Sequence, residues 1–350
     1  MGTESVRALI VDDSLVAREM LAQILSSDPG IEVAGMAANG EEAVALAAEL
    51  RPDIITMDIH MPVMDGLLAT EKIMAYTPTP ILVVSSSVYG EGMGRAFDAL
   101  KSGALEVIKK PEPADWKDLE RIGRDIIRRV KLLSRVRVIT HIKGKRPDRE
   151  GVPVQHADTP RHVGPALIAI GSSTGGPSAL LNVLGRLPVD LPVPVVIAQH
   201  IAEGFIPGLV NWLDSGCKLK IAAAADGAQA EPGIAYFAPT GLNLVMDGTT
   251  MRFAEPQAGQ LYIPSADTLF FSVAKGLGRA ALGVILTGMG ADGALGLKAM
   301  RDAGAVTIAQ DEATSTVWGM PRVAAESGAA CAVLPVHAIA EEIERILAEV

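Results

Sequence analysis

The sequence predicts an α/β protein of two doubly wound domains, each a parallel sheet with helices on both faces. Short apolar runs of strand length alternate with amphipathic stretches of helix length over the first 130 residues. The alternation begins again at Ala166. Between the two lies a stretch rich in Arg, Lys, His and Pro, centred on Lys143-Gly144-Lys145-Arg146-Pro147, which reads as a solvated tether. The implied boundaries are 1–133 for the first domain, 134–164 for the tether and 165–350 for the second domain.

Each element has a local reason. Ala8 to Val11 reads as a strand, and Ser14 is placed to cap the helix that follows. Ile31 to Gly35, Ile54 to Met57, Ile81 to Val84 and Leu105 to Ile108 read as four more strands, and Glu41 to Glu49 as a helix. In the stretch from Trp116 to Leu133, the residues Leu119, Ile122, Ile126, Val130 and Leu133 share one helical face. Beyond the tether, Ala166 to Ile170, Val193 to Ala198, Leu282 to Leu286 and Ala305 to Ala309 are buried-strand candidates. Pro-Gly, Thr-Gly and Asp-Gly turns between Leu219 and Phe253 predict a β-hairpin.

Composition narrows the function. Of 350 residues, 49% are apolar and 21% charged, enough for a core in each domain. The net charge of −10 argues against nucleic acid as the main partner. No helix-turn-helix-like terminal segment supports a DNA-binding role either. Cys217 and Cys331 are far apart and have no metal-type spacing, which suits a reducing compartment. No apolar run reaches membrane-spanning length and no signal-peptide pattern opens the chain, so no membrane insertion and a cytoplasmic location are expected.

In the first domain, Asp12 and Asp13 follow the first strand, Asp58 ends the third, Ser85 follows the fourth, and Lys110-Pro111 follows the fifth. Carboxyl ends of adjacent parallel strands share one crevice. Carboxylates gathered there repel unless a cation compensates, and hard oxygen ligands suit Mg²⁺. The order of acidic pair, Asp58-x-x-Met-Pro-x-x-Asp-Gly, hydroxyl and Lys-Pro resembles the receiver domain of bacterial response regulators over about residues 5 to 130. The resemblance implies a flavodoxin-like fold and a histidine kinase as phosphodonor to Asp58. It also implies Mg²⁺ held by Asp12, Asp13, Asp58 and the His60 backbone carbonyl, with Ser85 and Lys110 reading the phosphoryl group. Many receivers carry an aromatic switch residue where this chain has Val107.

In the second domain, a predicted strand runs into Gly171-Ser172-Ser173-Thr174-Gly175-Gly176-Pro177. The Gly-x-Ser-x-Gly spacing fits a nucleophile elbow, a phosphate-binding turn or a purely structural turn. A serine needs a base. His200 follows a strand run, whereas His337 lies near the last helix. Asp292, in Thr287-Gly288-Met289-Gly290-Ala291-Asp292-Gly293, is the candidate orienting acid. Together with Gln199-His200, Pro264-Ser265-Ala266-Asp267 and the Gln310 to Pro321 segment, these residues resemble the catalytic domain of chemotaxis protein-glutamate methylesterases.

That resemblance implies a Rossmann-like domain in which Ser173, His200 and Asp292 are catalytic. Met289 and Thr174 would border the oxyanion hole. Methylated chemoreceptor helices are the implied substrate, with no cofactor at the ester step. Phosphorylation of the receiver is expected to favour a more active form, and the chain to be a monomer. Deamidation of receptor glutamine is the alternative activity, and a phosphorylation-controlled interaction module with a dead hydrolase is the non-enzymatic one. Ser172 and Ala266 stand where alanine and valine are common, and neither departure is expected to touch the chemistry.

Overall fold

The computed structural model describes residues 5–86, 91–112, 116–138 and 164–349, except the side chains of 91–95 and 116–117. The chain divides into two units, Met1–Asp148 and Arg149–Val350. Positions 139–163 of the predicted tether lie outside the described residues. Among the described residues, no helix is long and apolar enough to cross a membrane.

In the first unit, β1 (Val6–Val11), β2 (Ile31–Ala37), β3 (Ile54–Met57), β4 (Ile81–Ser85) and β5 (Glu106–Lys109) form one sheet. The order is β2-β1-β3-β4-β5, and every neighbouring pair is parallel. β3 and β4 are buried throughout, as strands covered on both faces must be. Helices α1 (Leu15–Ser26), α2 (Gly40–Leu50), α3 (Gly66–Tyr76), α4 (Glu91–Lys101) and α5 (Trp116–Leu133) follow the strands in turn. The predicted stripe on α5 buries Ile126, Val130 and Leu133. Strand order reverses between β1 and β3, which opens a crevice beyond their carboxyl ends.

The helix starts follow from their capping residues. Ser14 Oγ accepts from the Ala17 N–H at 3.4 Å, and Asp65 Oδ1 from the Leu68 N–H at 2.9 Å. At α2 the exchange is reciprocal: Asn39 Oδ1 accepts from the Glu42 N–H at 3.0 Å, and Glu42 Oε2 accepts from the Ala38 N–H at 2.8 Å.

In the second unit, β6 (Leu167–Ser172), β7 (Val195–Gln199), β8 (Lys220–Ala223), β9 (Ile234–Phe237), β12 (Ala281–Ile285), β13 (Val306–Gln310) and β14 (Ala332–Leu334) form a seven-stranded sheet. Its order is β14-β13-β12-β6-β7-β9-β8, with parallel pairs throughout. The predicted hairpin is β10 (Asn243–Asp247) with β11 (Thr250–Ala254), paired antiparallel. The helices are α6 (Gly176–Leu184), α7 (Ile206–Gly216), α8 (Ala266–Leu277), α9 (Ala294–Asp302), α10 (Met320–Glu326) and α11 (Val336–Ala348). Leu244, Met246 and Met251 of the hairpin share one apolar cluster with Leu269, Phe270 and Val273 of α8 and Leu167 of β6. The chain leaves β6 on one side for β7 and returns on the other as β12. The switch point therefore falls between β12 and β6.

The reciprocal cap sets a prediction for α2. Asn39→Ala should weaken the helix by about 1 kcal/mol. Hydrogen exchange followed by mass spectrometry over residues 40–50 should then speed up about fivefold, and unchanged exchange would remove the cap from the account.

Candidate active site and phosphoacceptor pocket

The first unit gathers its acidic residues at the switch point. Asp12 and Asp13 directly follow β1, Asp58 follows β3, Ser85 ends β4, and Lys110 directly follows β5. Asp12, Asp13 and Asp58 each offer a carboxylate oxygen within 4.8 Å of the others. Lys110 Nζ lies 2.7 Å from Asp12 Oδ2 and 2.9 Å from Asp58 Oδ2. Burial pushes the Asp58 carboxyl above its usual range despite the opposing pull of Lys110. Burial works against the Lys110 ammonium, but its bonds to Asp12 and Asp58 outweigh that and raise it.

One ammonium among three carboxylates leaves surplus negative charge on hard oxygen donors. That donor set fits a divalent cation. Asp12 Oδ1 and Asp58 Oδ1 are already oriented by the Ser14 and Ile59 N–H groups, at 3.0 and 2.7 Å. Ser85 is buried at the same sheet end. His60 lies in the loop after β3 with an exposed side chain. Val107 is buried in β5 opposite Val83, so the position holds no ring that could swing.

In the second unit, Ser173 directly follows β6, His200 directly follows β7, and Asp292 lies in the loop after β12. These are three adjacent strands in the sheet. His200 Nε2 lies 2.7 Å from Asp292 Oδ2. His200 Nδ1 is buried and has no hydrogen-bond partner among the described residues. With a carboxylate at Nε2, the proton belongs on that nitrogen and the lone pair on Nδ1. His337 lies instead in α11, after the edge strand β14.

Asp292 is itself held by the amino end of α8. Ser265, the N-cap, donates Oγ–H to Asp292 Oδ1 at 2.8 Å. The Ala266 N–H donates to Oδ2 at 2.7 Å, and the Asp267 N–H to Oδ1 at 3.2 Å. Burial alone would raise this carboxyl, but the bonds from His200, Ser265 and Ala266 hold it below the usual carboxylate range. Asp267 returns the arrangement: its Oδ1 accepts from the Gly296 N–H in the first turn of α9 at 2.7 Å. Asp267 is shifted up by burial, and Asp292 adds to that shift.

A buried glutamine ties the serine turn to the histidine. Gln199 Nε2 donates to the backbone oxygens of Ser173 at 2.9 Å and His200 at 2.7 Å. Its Oε1 accepts from Ser172 Oγ at 2.6 Å. The Ser172 hydroxyl thus completes the partners of this amide without reaching the serine itself. Ala266 contributes its backbone N–H, which is indifferent to the side chain. A Cβ at Gly176 would lie 2.0 Å from Gln199 Oε1, so the helix start approaches the amide only as glycine.

A second set of bonds joins the serine turn to the Met289 loop. The Ser173 N–H donates to the Thr287 carbonyl at 3.0 Å, and Thr287 Oγ1 donates to the Thr174 carbonyl at 3.0 Å. Gln310 Oε1 accepts from the Thr287 N–H at 2.8 Å. Thr174 is buried and Met289 half-buried on these two linked segments. Sequence reasoning named all these segments but missed the individual roles of Ser265 and Gln199, and did not single out Tyr262. Ser265 had a signal, since Ser before Ala-Asp-Thr is a helix-start pattern. Tyr262 had none.

The comparisons with known proteins agree across both units. A family model for CheB methylesterase matches residues 168–343, and one for the response regulator receiver domain matches residues 8–119. A relative from Anaeromyxobacter dehalogenans, protein-glutamate methylesterase/protein-glutamine glutaminase 2, is 44% identical over 348 residues, which is 99% of this chain and 98% of that one. One from Syntrophus aciditrophicus, protein-glutamate methylesterase/protein-glutamine glutaminase 1, is 42% identical over 353 residues, 99% of each chain. The solved Thermotoga maritima CheB methylesterase catalytic domain shares 34% identity over 53% of this chain and all of that one, with a TM-score of 0.49. Matched by relatives along nearly its whole length, the chain belongs to the CheB methylesterase family and carries a response regulator receiver domain ahead of the esterase domain.

Proposed function

We infer that this chain is a protein-glutamate methylesterase that also deamidates glutamine, acting on chemoreceptors in the cytoplasm under control of a receiver phosphorylated at Asp58. The observation that carries the esterase reading is the contact of His200 Nε2 with an Asp292 fixed by α8, beside the Ser173 turn. The working domains are 1–133 and 165–350, joined by a tether. The chain is taken to act as a monomer.

Ser173 Oγ attacks the ester carbonyl carbon, and its proton passes to His200 Nδ1. Asp292 keeps the imidazole in the required tautomer and stabilises its charged form. The Met289 N–H and a donor near Thr174 meet the oxyanion, and one such donor is worth about 10²–10³ in turnover. When the carbonyl re-forms, the C–OCH₃ bond breaks and His200 returns the proton, so methanol leaves. Water then attacks the acyl-enzyme, gives its proton to His200, and releases the glutamate side chain and free Ser173. With a glutamine substrate, ammonia leaves in place of methanol.

In the receiver, Asp58 attacks the phosphorus of a kinase phosphohistidine and the P–N bond breaks. Asp12, Asp13, Asp58 and the His60 carbonyl would hold Mg²⁺, which when bound neutralises phosphoryl oxygens. Ser85 and Lys110 take up the phosphoryl group. A dead-hydrolase module is the weaker reading, because Ser173, His200 and Asp292 share one sheet end.

Ser173→Ala should abolish methanol release from methylated receptor while circular dichroism stays unchanged, and retention of most activity would sink the assignment. Acetyl phosphate with Mg²⁺ should stimulate the wild type and leave Asp58→Asn unaffected; equal stimulation of both would remove Asp58 from the control. Asp292 carries a pH prediction. Its folded pKa lies below the unfolded value of about 3.9, so its stabilisation is complete above that pH and is lost as pH falls through the folded value. The stability gap between wild type and Asp292→Asn in urea titrations should therefore be widest near neutrality and narrow below about pH 4. A constant gap would contradict the ionic role.

A further inference from the structure

The Tyr262 ring stacks on the His200 ring with centroids 4.7 Å apart and planes 6° from parallel. The same side chain reaches the Met289 loop, since a Cβ at Gly290 would lie 2.6 Å from Tyr262 Oη. Gly290 has φ of 89° and packs under the hydroxyl because it has no side chain. One residue thus touches both the base and the loop that would bear the oxyanion donor.

Tyr262 is held in place from behind. Gln260 Nε2 donates to the Tyr262 carbonyl at 3.0 Å. Gln260 and the buried Asn243 exchange amide bonds at 3.1 and 3.0 Å. Asn243 Oδ1 also accepts from the Ser265 N–H at 2.9 Å, and Ser265 Oγ binds Asp292. The segment that carries Tyr262 is therefore fixed to the same frame as Asp292.

We propose that Tyr262 is a positioning residue for His200, setting the plane of the imidazole and shielding one of its faces from water. Asp292 grips the imidazole at one atom, Nε2, and a single bond does not stop the ring tilting about it. A ring lying parallel to the imidazole removes that tilt. Its negative face also favours the imidazolium that forms as Ser173 attacks. This role rests on the Ser173–His200–Asp292 reading given above, and it concerns a residue outside that set.

The test uses the full chain with Tyr262→Phe, Tyr262→Leu and Tyr262→Met. Thermal midpoints monitor folding, a fluorophosphonate probe reads Ser173 reactivity without receptor, and methanol release gives kcat and KM. Y262L should slow labelling and lower kcat about tenfold, as a misplaced catalytic group does, with KM within about twofold. Y262F should recover most of that loss, since it keeps the ring. Should Y262L not fold, Y262M is read the same way. Labelling of the non-aromatic variants at the wild-type rate, or a Y262F loss as deep as theirs, overturns the proposal. A wild type that neither labels at Ser173 nor releases methanol removes the hydrolase reading itself, and the role of Tyr262 with it.

Discussion

The carboxylate of Asp292 lies on the amino end of α8, and the second unit's site is built outward from that contact. Two backbone N–H groups and the N-cap hydroxyl converge on it. An anion so placed gains about 0.3–1 kcal/mol when exposed and up to ~2 kcal/mol when partly buried. It is then the acceptor that sets the tautomer of His200. Asp267 makes the converse contact with the first turn of α9. Each helix thus has its start satisfied by a carboxylate carried next to the other, so the packing of α8 on α9 and the alignment of the imidazole are one event.

The two units use aspartate in opposite senses. Asp292 is surrounded by donors and held below the usual carboxylate range, which suits a group that supports a charge without taking a proton. Among the described residues, Asp58 has one lysine and one N–H, sits beside Asp12, and is pushed up by burial. A carboxylate so sparsely satisfied retains oxygen lone pairs for a new bond. Lys110 keeps the pocket together by bridging Asp12 and Asp58.

Much of this was legible in the sequence. All five receiver strands fall where apolar runs end in polar residues, and Asp12, Asp58, Ser85 and Lys110 stand at those ends. Ser173 and His200 obey the same rule, whereas Asp292 stands further on, in the glycine-rich loop between β12 and α9. The parallel strands β8 and β9 were not legible, because no helix separates Ala223 from Ile234; the connection instead runs past the hairpin, where Gln229 bridges Thr250. β14 spans only Ala332–Leu334, too short to show a period. The partners of Gln199 and the stack on His200 also left no trace, since each depends on segments brought together by the sheet.

Sheet order also explains a peculiarity of spelling. The chain visits β6, then β7, then crosses to β12 on the other side. Serine, histidine and aspartate are therefore met in that order, whereas α/β-hydrolases run serine, acid, histidine. The order of these three letters records the route by which the polypeptide was wound, while the sheet brings all three to one end. A search that demanded the more familiar order would pass over this protein.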